Sequence, residues 1–147
     1  MEADDLDRAT AWVEKGRFER IALQFPDELL PLAVKALSAL SARLPERKVF
    51  LLGDSTYGSS SVDEVGAEHY GADCIVHVGP SDQQHAGNLP ALFVFGRTDL
   101  RDSSVEALAG SLLRHLGPDV STLVLVCDLT LQHLAGDLAA ALGQRGG

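Results

Sequence analysis

Cysteine is scarce in this sequence, which excludes a fold held together by disulfide bonds. Only two of the 147 residues are cysteine. Cys74 lies in "ADCIVHV" and Cys127 in "LVLVCD", and both runs are apolar in the manner of buried strands. Neither cysteine has a CxxC partner or a histidine at ligand spacing, so the pair does not indicate a metal site. We therefore predict two buried free thiols.

Positive charge and long apolar runs are also lacking. The 12 Lys and Arg residues stand against 21 Asp and Glu residues, which gives a net charge of -9 without any basic stripe for nucleic acid. No apolar run is long enough to cross a bilayer. The first residues, "MEADDLDRATAWVEKG", carry acids where a secretion signal needs bases. We expect a cytoplasmic protein that binds neither nucleic acid nor a membrane.

What the sequence does contain is a repeating pattern of apolar segments. With 46% hydrophobic and 22% charged residues, it has the composition of a globular domain. Short apolar runs alternate with segments of helical periodicity. The runs predict strands at 20–25, 48–52, 73–78, 91–95 and 121–127. Strands that alternate with helices pair in parallel through right-handed crossovers, so we predict an α/β fold, a three-layer Rossmann-like domain with a parallel sheet flanked by helices.

Polar residues indicate where the predicted helices begin. Asp, Ser and Thr at a helix start accept hydrogen bonds from the first free backbone N–H groups, and Glu three residues later completes a capping box. The candidates are Asp27, Ser61 with Glu64 or Ser60 with Asp63, and Ser103 with Glu106. The candidates at Ser60 and Ser61 predict a helix over 61–70.

The loop "GDSTYGSSSVDE" at 53–64, called the serine loop below, follows the second predicted strand, at the sheet edge where parallel folds place functional loops. Its residues alone leave two interpretations open. The backbone N–H groups where the loop meets a helix could hold an anion, as in a generic anion-binding Rossmann-like domain. Alternatively, Ser55 could be the nucleophile of a GDS-type serine esterase that uses Asp82 and His85 of "DQQH". Asp54 is expected to hold backbone amides of the loop.

Five histidines are present, and His77 is the candidate of most interest. It closes the third predicted strand beside the serine loop, where it is either functional or a buried histidine held by neighbouring loop groups. His69 and His115 fall at helix ends, while His85 lies in a loop and His133 in the last helix. No pair has metal-ligand spacing with a third ligand nearby.

Three stretches together carry a resemblance to a known family: "LQFPDELL", "LLGDSTYGSSSVDEVGAEHYGADCIVHVG" and "LPALFVF". In order and spacing they resemble the amino-terminal domain of the diphthamide synthase subunit family, whose members begin diphthamide formation on elongation factor 2. The resemblance covers residues 20–96. It implies that the motif loop and its surroundings comprise Gly53, Asp54, Tyr57, Gly58, Asp63, His77 and Gly79.

The end of the chain carries a second resemblance. The segment "LVLVCDLTLQHL" is similar to the first strand and helix of the family's second domain. The chain also repeats its own pattern, since Leu23 aligns with Leu125 and Leu29 with Leu131. Family members consist of three similar domains, so the resemblance implies an amino-terminal domain at 1–118 and the first strand and helix of a truncated repeat domain at 119–147.

The resemblance further implies cofactors. In the family, a 4Fe-4S cluster cleaves S-adenosylmethionine and a 3-amino-3-carboxypropyl group is transferred to a histidine of elongation factor 2. The family carries one or two cluster cysteines just after the YG of this loop, where Ser60 and Ser61 stand here. A serine hydroxyl is a harder and less easily deprotonated ligand than a thiol. We therefore predict no metal or cofactor in this chain and no catalysis by it alone.

This chain most resembles the second, supporting subunit of the eukaryotic heterodimer, because it has lost the loop cysteines and carries the run "SSSVDEVGAEHYGAD". The partner that this resemblance implies is the catalytic subunit of the same enzyme family. Elongation factor 2 would then be the protein substrate of the complex.

Overall fold

The structure is a computed structural model that describes residues 1–53, 60–81, 87–98, 100, 104–117 and 120–143. The chain divides into two units, Met1–Gly96 and Arg97–Gly147. The first unit contains α1 (Ala3–Gly16), β1 (Arg20–Gln24), a 3-10 turn (Asp27–Leu29), α2 (Leu30–Arg43), β2 (Lys48–Leu51), α3 (Glu64–His69), β3 (Cys74–Val78) and β4 (Ala91–Val94). The second contains α4 (Val105–His115), a 3-10 turn (Leu129–Leu131) and α5 (Gln132–Gly143).

The four strands of the first unit form a parallel sheet in the order β2-β1-β3-β4. Each begins and ends within one residue of the strands predicted at 20–25, 48–52, 73–78 and 91–95. The central strands β1 and β3 are buried along nearly their whole length, because each has a neighbour on both sides. The predicted α/β class, with a parallel sheet flanked by helices, is confirmed.

The two faces of this sheet carry separate apolar clusters, since successive side chains of a strand point to opposite faces. Leu23 and Val76 belong to the larger cluster, which includes Val13 of α1 and Leu40 of α2. Ala22 and Ile75 belong to the smaller one, with Ala67 of α3. The first unit is therefore three layers deep, with α1 and α2 on one face and the short helix α3 on the other.

Two predicted helix starts are wrong in detail. Asp27 begins a 3-10 turn, and α2 starts after it at Leu30, with Pro31 tolerated in its first turn. The helix predicted over 61–70 spans only Glu64–His69. Its cap is Asp63, whose carboxylate accepts a hydrogen bond from the backbone N–H of Gly66, so the N-cap residue is neither Ser60 nor Ser61.

The second unit departs furthest from the prediction. Helices α4 and α5 pack on each other, and α4 is capped by Ser104, whose hydroxyl accepts from the N–H of Ala107; the predicted cap Ser103 lies outside the described residues. The strand predicted at 121–127 is wrong: the structure assigns no strand there, because no strand in the described part of the chain pairs with it. Cys127 is exposed for the same reason, against our prediction, whereas Cys74 is buried as predicted.

All the helices of the described ranges are short. The longest, α1 and α2, have 14 residues each. In the part of the chain that the structure describes, no helix combines the length and the apolar character that crossing a bilayer requires.

Candidate functional site

Two polar side chains lie at the carboxyl ends of the two central strands. Gln24 is the last residue of β1, and it stands in register with His77 of β3. Both are buried, with exposed fractions of 2% and 0%. Gln24 shares a face with Ala22 two residues earlier, so this polar pair lies on the α3 side of the sheet. Buried polar groups require hydrogen-bond partners, and each of these side chains has one in a neighbouring loop.

The Gln24 side chain bridges the loop that follows β2. Its Nε2 group donates to the carbonyl oxygen of Ser61 over 2.9 Å. Its Oε1 atom accepts from the backbone N–H of Asp63, also over 2.9 Å. One side-chain amide thus satisfies a backbone carbonyl and a backbone N–H two residues apart, which is how a neighbouring strand would pair with this segment.

Asp63 continues this arrangement into helix α3. The residue is 5% exposed, and its Oδ1 atom accepts from the N–H of Gly66 over 2.8 Å. A Cβ atom at position 66 would collide with that carboxylate, so any other residue there would displace the carboxylate from this hydrogen bond. Ser60 and Ser61, both half-buried, immediately precede this cap. The backbone around the two serines is therefore fixed from β1 on one side and from α3 on the other.

His77 holds the turn that follows its own strand. Its Nε2 atom lies 2.8 Å from the carbonyl oxygen of Pro80, and its ring packs edge-on against Phe93 with the ring centroids 5.8 Å apart. Gly79 takes a φ of +120° there, a conformation that L side chains rarely adopt. Its N–H donates to the carbonyl oxygen of Val94 over 2.8 Å. His77 and Gly79 together turn the chain away from β3.

A contact from α3 reaches the segment before β4. The backbone N–H of Gly87 donates to Oε1 of Glu64 over 3.2 Å. A Cβ atom at position 87 would overlap the Glu64 carboxylate, so the Glu64 side chain would have to move away from this contact. Helix α3, although short, contacts the loops after both β2 and β3.

The residues at this edge do not fit an iron–sulfur cluster. Cluster iron is held by thiolates, and the described loop offers the hydroxyls of Ser60 and Ser61. Cys74 opens β3 at the opposite end of the strand, and burial, with the Asp73 carboxylate beside it, strongly raises the pKa of its thiol. Among the described residues, no three His, Cys, Asp or Glu side chains converge as a metal site would require.

The structure brings together only some of the residues that the sequence singled out. Gly53 follows β2, and Asp63, His77 and Gly79 surround the ends of β1 and β3. Several others lie outside the described residues: Asp54, Tyr57 and Gly58 of the motif loop, and Ser55, Asp82 and His85 of the esterase interpretation.

The remaining histidines contact backbone near helix ends or close a helix. His69 is the last residue of α3. Nδ1 of His115 lies 2.8 Å from the Ser111 carbonyl oxygen, and Nδ1 of His133 lies 3.1 Å from that of Thr130. These contacts are those of structural residues.

Sequence reasoning missed Gln24, whose side chain makes two hydrogen bonds to the serine loop. The available signal was its position. A glutamine closes the otherwise apolar run "IALQ" just before Phe25 and Pro26, and a polar residue at the carboxyl end of a buried parallel strand needs a partner.

The fold and this edge define a class of protein: a parallel α/β domain whose loop after the second strand is anchored on the first. The sequence model of the family described as "Putative diphthamide synthesis protein" matches residues 25–146. The chain belongs to this family, as the resemblance predicted.

Curated relatives agree with this assignment. The chain is 42% identical over 132 residues to 2-(3-amino-3-carboxypropyl)histidine synthase subunit 2 of Danio rerio, covering 89% of this chain and 26% of that protein. It is 41% identical over 106 residues to the protein of the same name from Schizosaccharomyces pombe, covering 72% of this chain and 21% of that protein. The chain thus spans about a quarter of the length of these relatives.

Solved structures show the same fold. A crystal structure of Dph2 from Pyrococcus horikoshii superimposes with a TM-score of 0.70 at 22% identity, covering 96% of this chain and 40% of that one. A second structure of that protein, with a 4Fe-4S cluster, gives a TM-score of 0.57 at 24% identity, covering 75% of this chain and 31% of that one. The comparisons give no support to the serine esterase or to the generic anion-binding domain.

Proposed function

We propose that this chain is part of the supporting subunit of the enzyme that starts diphthamide synthesis on elongation factor 2. The observation that carries the proposal is the match to relatives named subunit 2 of 2-(3-amino-3-carboxypropyl)histidine synthase, which extends over 89% of this chain for one of them. In this reaction a 3-amino-3-carboxypropyl group passes from S-adenosylmethionine to a histidine of elongation factor 2.

The chemistry is assigned to a catalytic partner subunit of the same family. The serine hydroxyls at positions 60 and 61 stand where the family resemblance places cluster cysteines, and they are poor ligands for iron. The Cys74 thiol is kept protonated by burial in the sheet. The role of this chain is therefore association within a heterodimer, and the chain alone is non-catalytic. Such a complex would work in the cytoplasm, where its protein substrate acts.

We also propose that 119–147 represents the first strand and helix of a following repeat domain, with 1–118 as the amino-terminal domain. Apolar side chains of the second unit support this proposal. A cavity of about 210 Å³ between its elements is lined by Leu108, Leu125, Leu134 and other apolar residues. Val124 and Val126, on the alternate positions, are 77% and 93% exposed. Apolar residues at both alternations are typical of a strand inside a parallel sheet.

The test is co-expression of the full-length parent protein with a catalytic subunit of the family. Affinity capture of one subunit is followed by an assay of 3-amino-3-carboxypropyl transfer to elongation factor 2. We expect co-purification and a higher turnover than the catalytic subunit gives alone. A parent protein that neither co-purifies nor raises turnover would leave the family assignment intact and exclude the proposed role.

A further inference from the structure

We propose that Gln24 is a positioning residue for the serine loop: its side-chain amide fixes the backbone of Ser61–Asp63, and with it the two side chains at positions 60 and 61. The inference rests on the proposed function for one point only, that positions 60 and 61 are the family's ligand positions. The positioning itself rests on the two hydrogen bonds and the burial of Gln24.

The chemistry of the bridge requires an amide. The Ser61 carbonyl needs a donor, and the Asp63 N–H needs an acceptor. A primary amide supplies both from one planar group. Leucine fills a similar volume but supplies neither, and a buried donor or acceptor that loses its partner is costly. Glutamate supplies the acceptor, and its second oxygen can donate to Ser61 only when the carboxyl group is protonated.

The location of the bridge gives it its effect. Strand β2 ends at Leu51, and the backbone N–H of Leu52 still bonds to the carbonyl oxygen of Leu23. Gln24 is the next residue of β1 after Leu23, and it makes its two hydrogen bonds to the segment Ser61–Asp63. The Gln24 side chain thus joins β1 to the segment that leads into α3. The bridge contacts backbone only, so it holds the loop whether position 60 or 61 carries a hydroxyl or a thiol.

The first test is amide hydrogen exchange of the full chain, resolved by residue. In the unsubstituted chain we expect the Asp63 N–H to be protected. In Gln24→Leu its exchange should accelerate by about tenfold or more, while the core N–H of Ile75, which bonds to the Pro90 carbonyl oxygen, changes less than twofold. Gln132→Leu, the same change at an exposed residue of α5, is the matched control and should leave Asp63 unaffected.

The second test places a thiol in the loop. In a Cys127→Ser background, Ser61→Cys is alkylated with a maleimide, and the buried Cys74 serves as the internal reporter of global opening. Adding Gln24→Leu should raise the labelling rate at position 61 by about tenfold without raising that of Cys74. A merely structural loss of stability would raise both rates together.

Gln24→Glu supplies the conservative rescue and a pH profile. We expect the Asp63 protection factor of this variant to rise as the pH falls and the carboxyl group becomes protonated, because the protonated group can make both hydrogen bonds. An unprotected Asp63 N–H in the unsubstituted chain would overturn the inference even if both variants failed to fold. So would equal protection in a folded Gln24→Leu variant, or a folded Glu variant whose Asp63 N–H stays unprotected at every pH.

None of these measurements uses a partner, a cofactor or enzymatic turnover. Failure of the capture experiment with a normal exchange result would remove the proposed function and leave Gln24 as the residue that fixes the loop. Successful capture with an unprotected Asp63 N–H would support the proposed function and overturn the positioning role of Gln24.

Discussion

Strand β1 and the segment 121–127 have the same kind of sequence and different structures. Leu23 in β1 is fully buried between β2 and β3. Leu125, its counterpart in the internal repeat, is 36% exposed, in a segment that no described strand pairs with. The difference shows that an apolar run of this kind is able to join a sheet but does not form a strand by itself. Neighbours on both edges are what turn it into a buried strand.

The largest expected effect tests this comparison directly with one substitution at two equivalent sites. Leu23→Ala removes a side chain from a closed core, so the free energy of unfolding should fall by about 2–5 kcal/mol. Leu125→Ala should lower it by no more than about 1 kcal/mol. Urea titration followed by far-UV circular dichroism measures both. Equal losses would mean that the segment 121–127 is as well packed as β1.

The turn after β3 provides the next comparison. Gly79→Ala places a Cβ on a residue with φ of +120° and within 3.0 Å of the Pro26 ring, which should destabilise the protein by about 1–2 kcal/mol. Gly117→Ala is the matched control, since a Cβ there meets nothing within 4 Å. The free energy of unfolding of this control, measured by urea titration, should change by no more than about 0.5 kcal/mol. A neutral Gly79→Ala variant would refute the strained turn.

The two helix caps differ in burial and should differ in weight. Asp63 is 5% exposed and caps its helix from a buried position. Asp63→Ala should therefore lower the free energy of unfolding by about 1–2 kcal/mol. Ser104 caps an exposed helix start, and Ser104→Ala should cost about 0.5–1 kcal/mol. Thermal unfolding of the two variants side by side gives the order, and a larger loss at Ser104 would contradict the account.

The smallest effect concerns pH in the second unit. The backbone N–H of Thr130 and then its hydroxyl lower the pKa of the exposed Asp128 carboxyl below its ordinary value. A carboxyl whose pKa is lower in the folded state contributes stability above its unfolded pKa and loses it as the pH falls through the folded value. Thr130→Val removes the hydroxyl alone, so an NMR titration should show the Asp128 pKa moving part of the way back. An unchanged pKa would show that the Thr130 hydroxyl does not lower the pKa of Asp128.

The sequence predicts the sheet well because its signals are local. Apolar runs bounded by Gly and Pro located β1 to β4 to within a residue, and the order of strands and helices required parallel pairing. The same rule failed at 121–127, since pairing depends on a neighbouring strand and not on the run itself.

The site was less predictable because it depends on contacts distant in sequence. The spacing of Ser61 and Glu64 indicated a capping box, but the cap is Asp63. Its N–H is already held by Gln24, 39 positions earlier in the chain. No pattern of neighbouring residues encodes that bridge. The identity of the loop came from a family motif, and its anchoring came only from the structure.

The most direct test of the central claim is anaerobic reconstitution of the purified chain with iron and sulfide, followed by gel filtration and measurement of iron and visible absorbance. The claim is that the backbone at Ser61–Asp63 is held by Gln24 while serines stand at the positions proposed for the cluster ligands. We predict a colourless chain without stoichiometric iron, and more retained iron in the variant that combines Ser60→Cys with Ser61→Cys. A visible absorbance band with stoichiometric iron that survives gel filtration of the unsubstituted chain would contradict the claim.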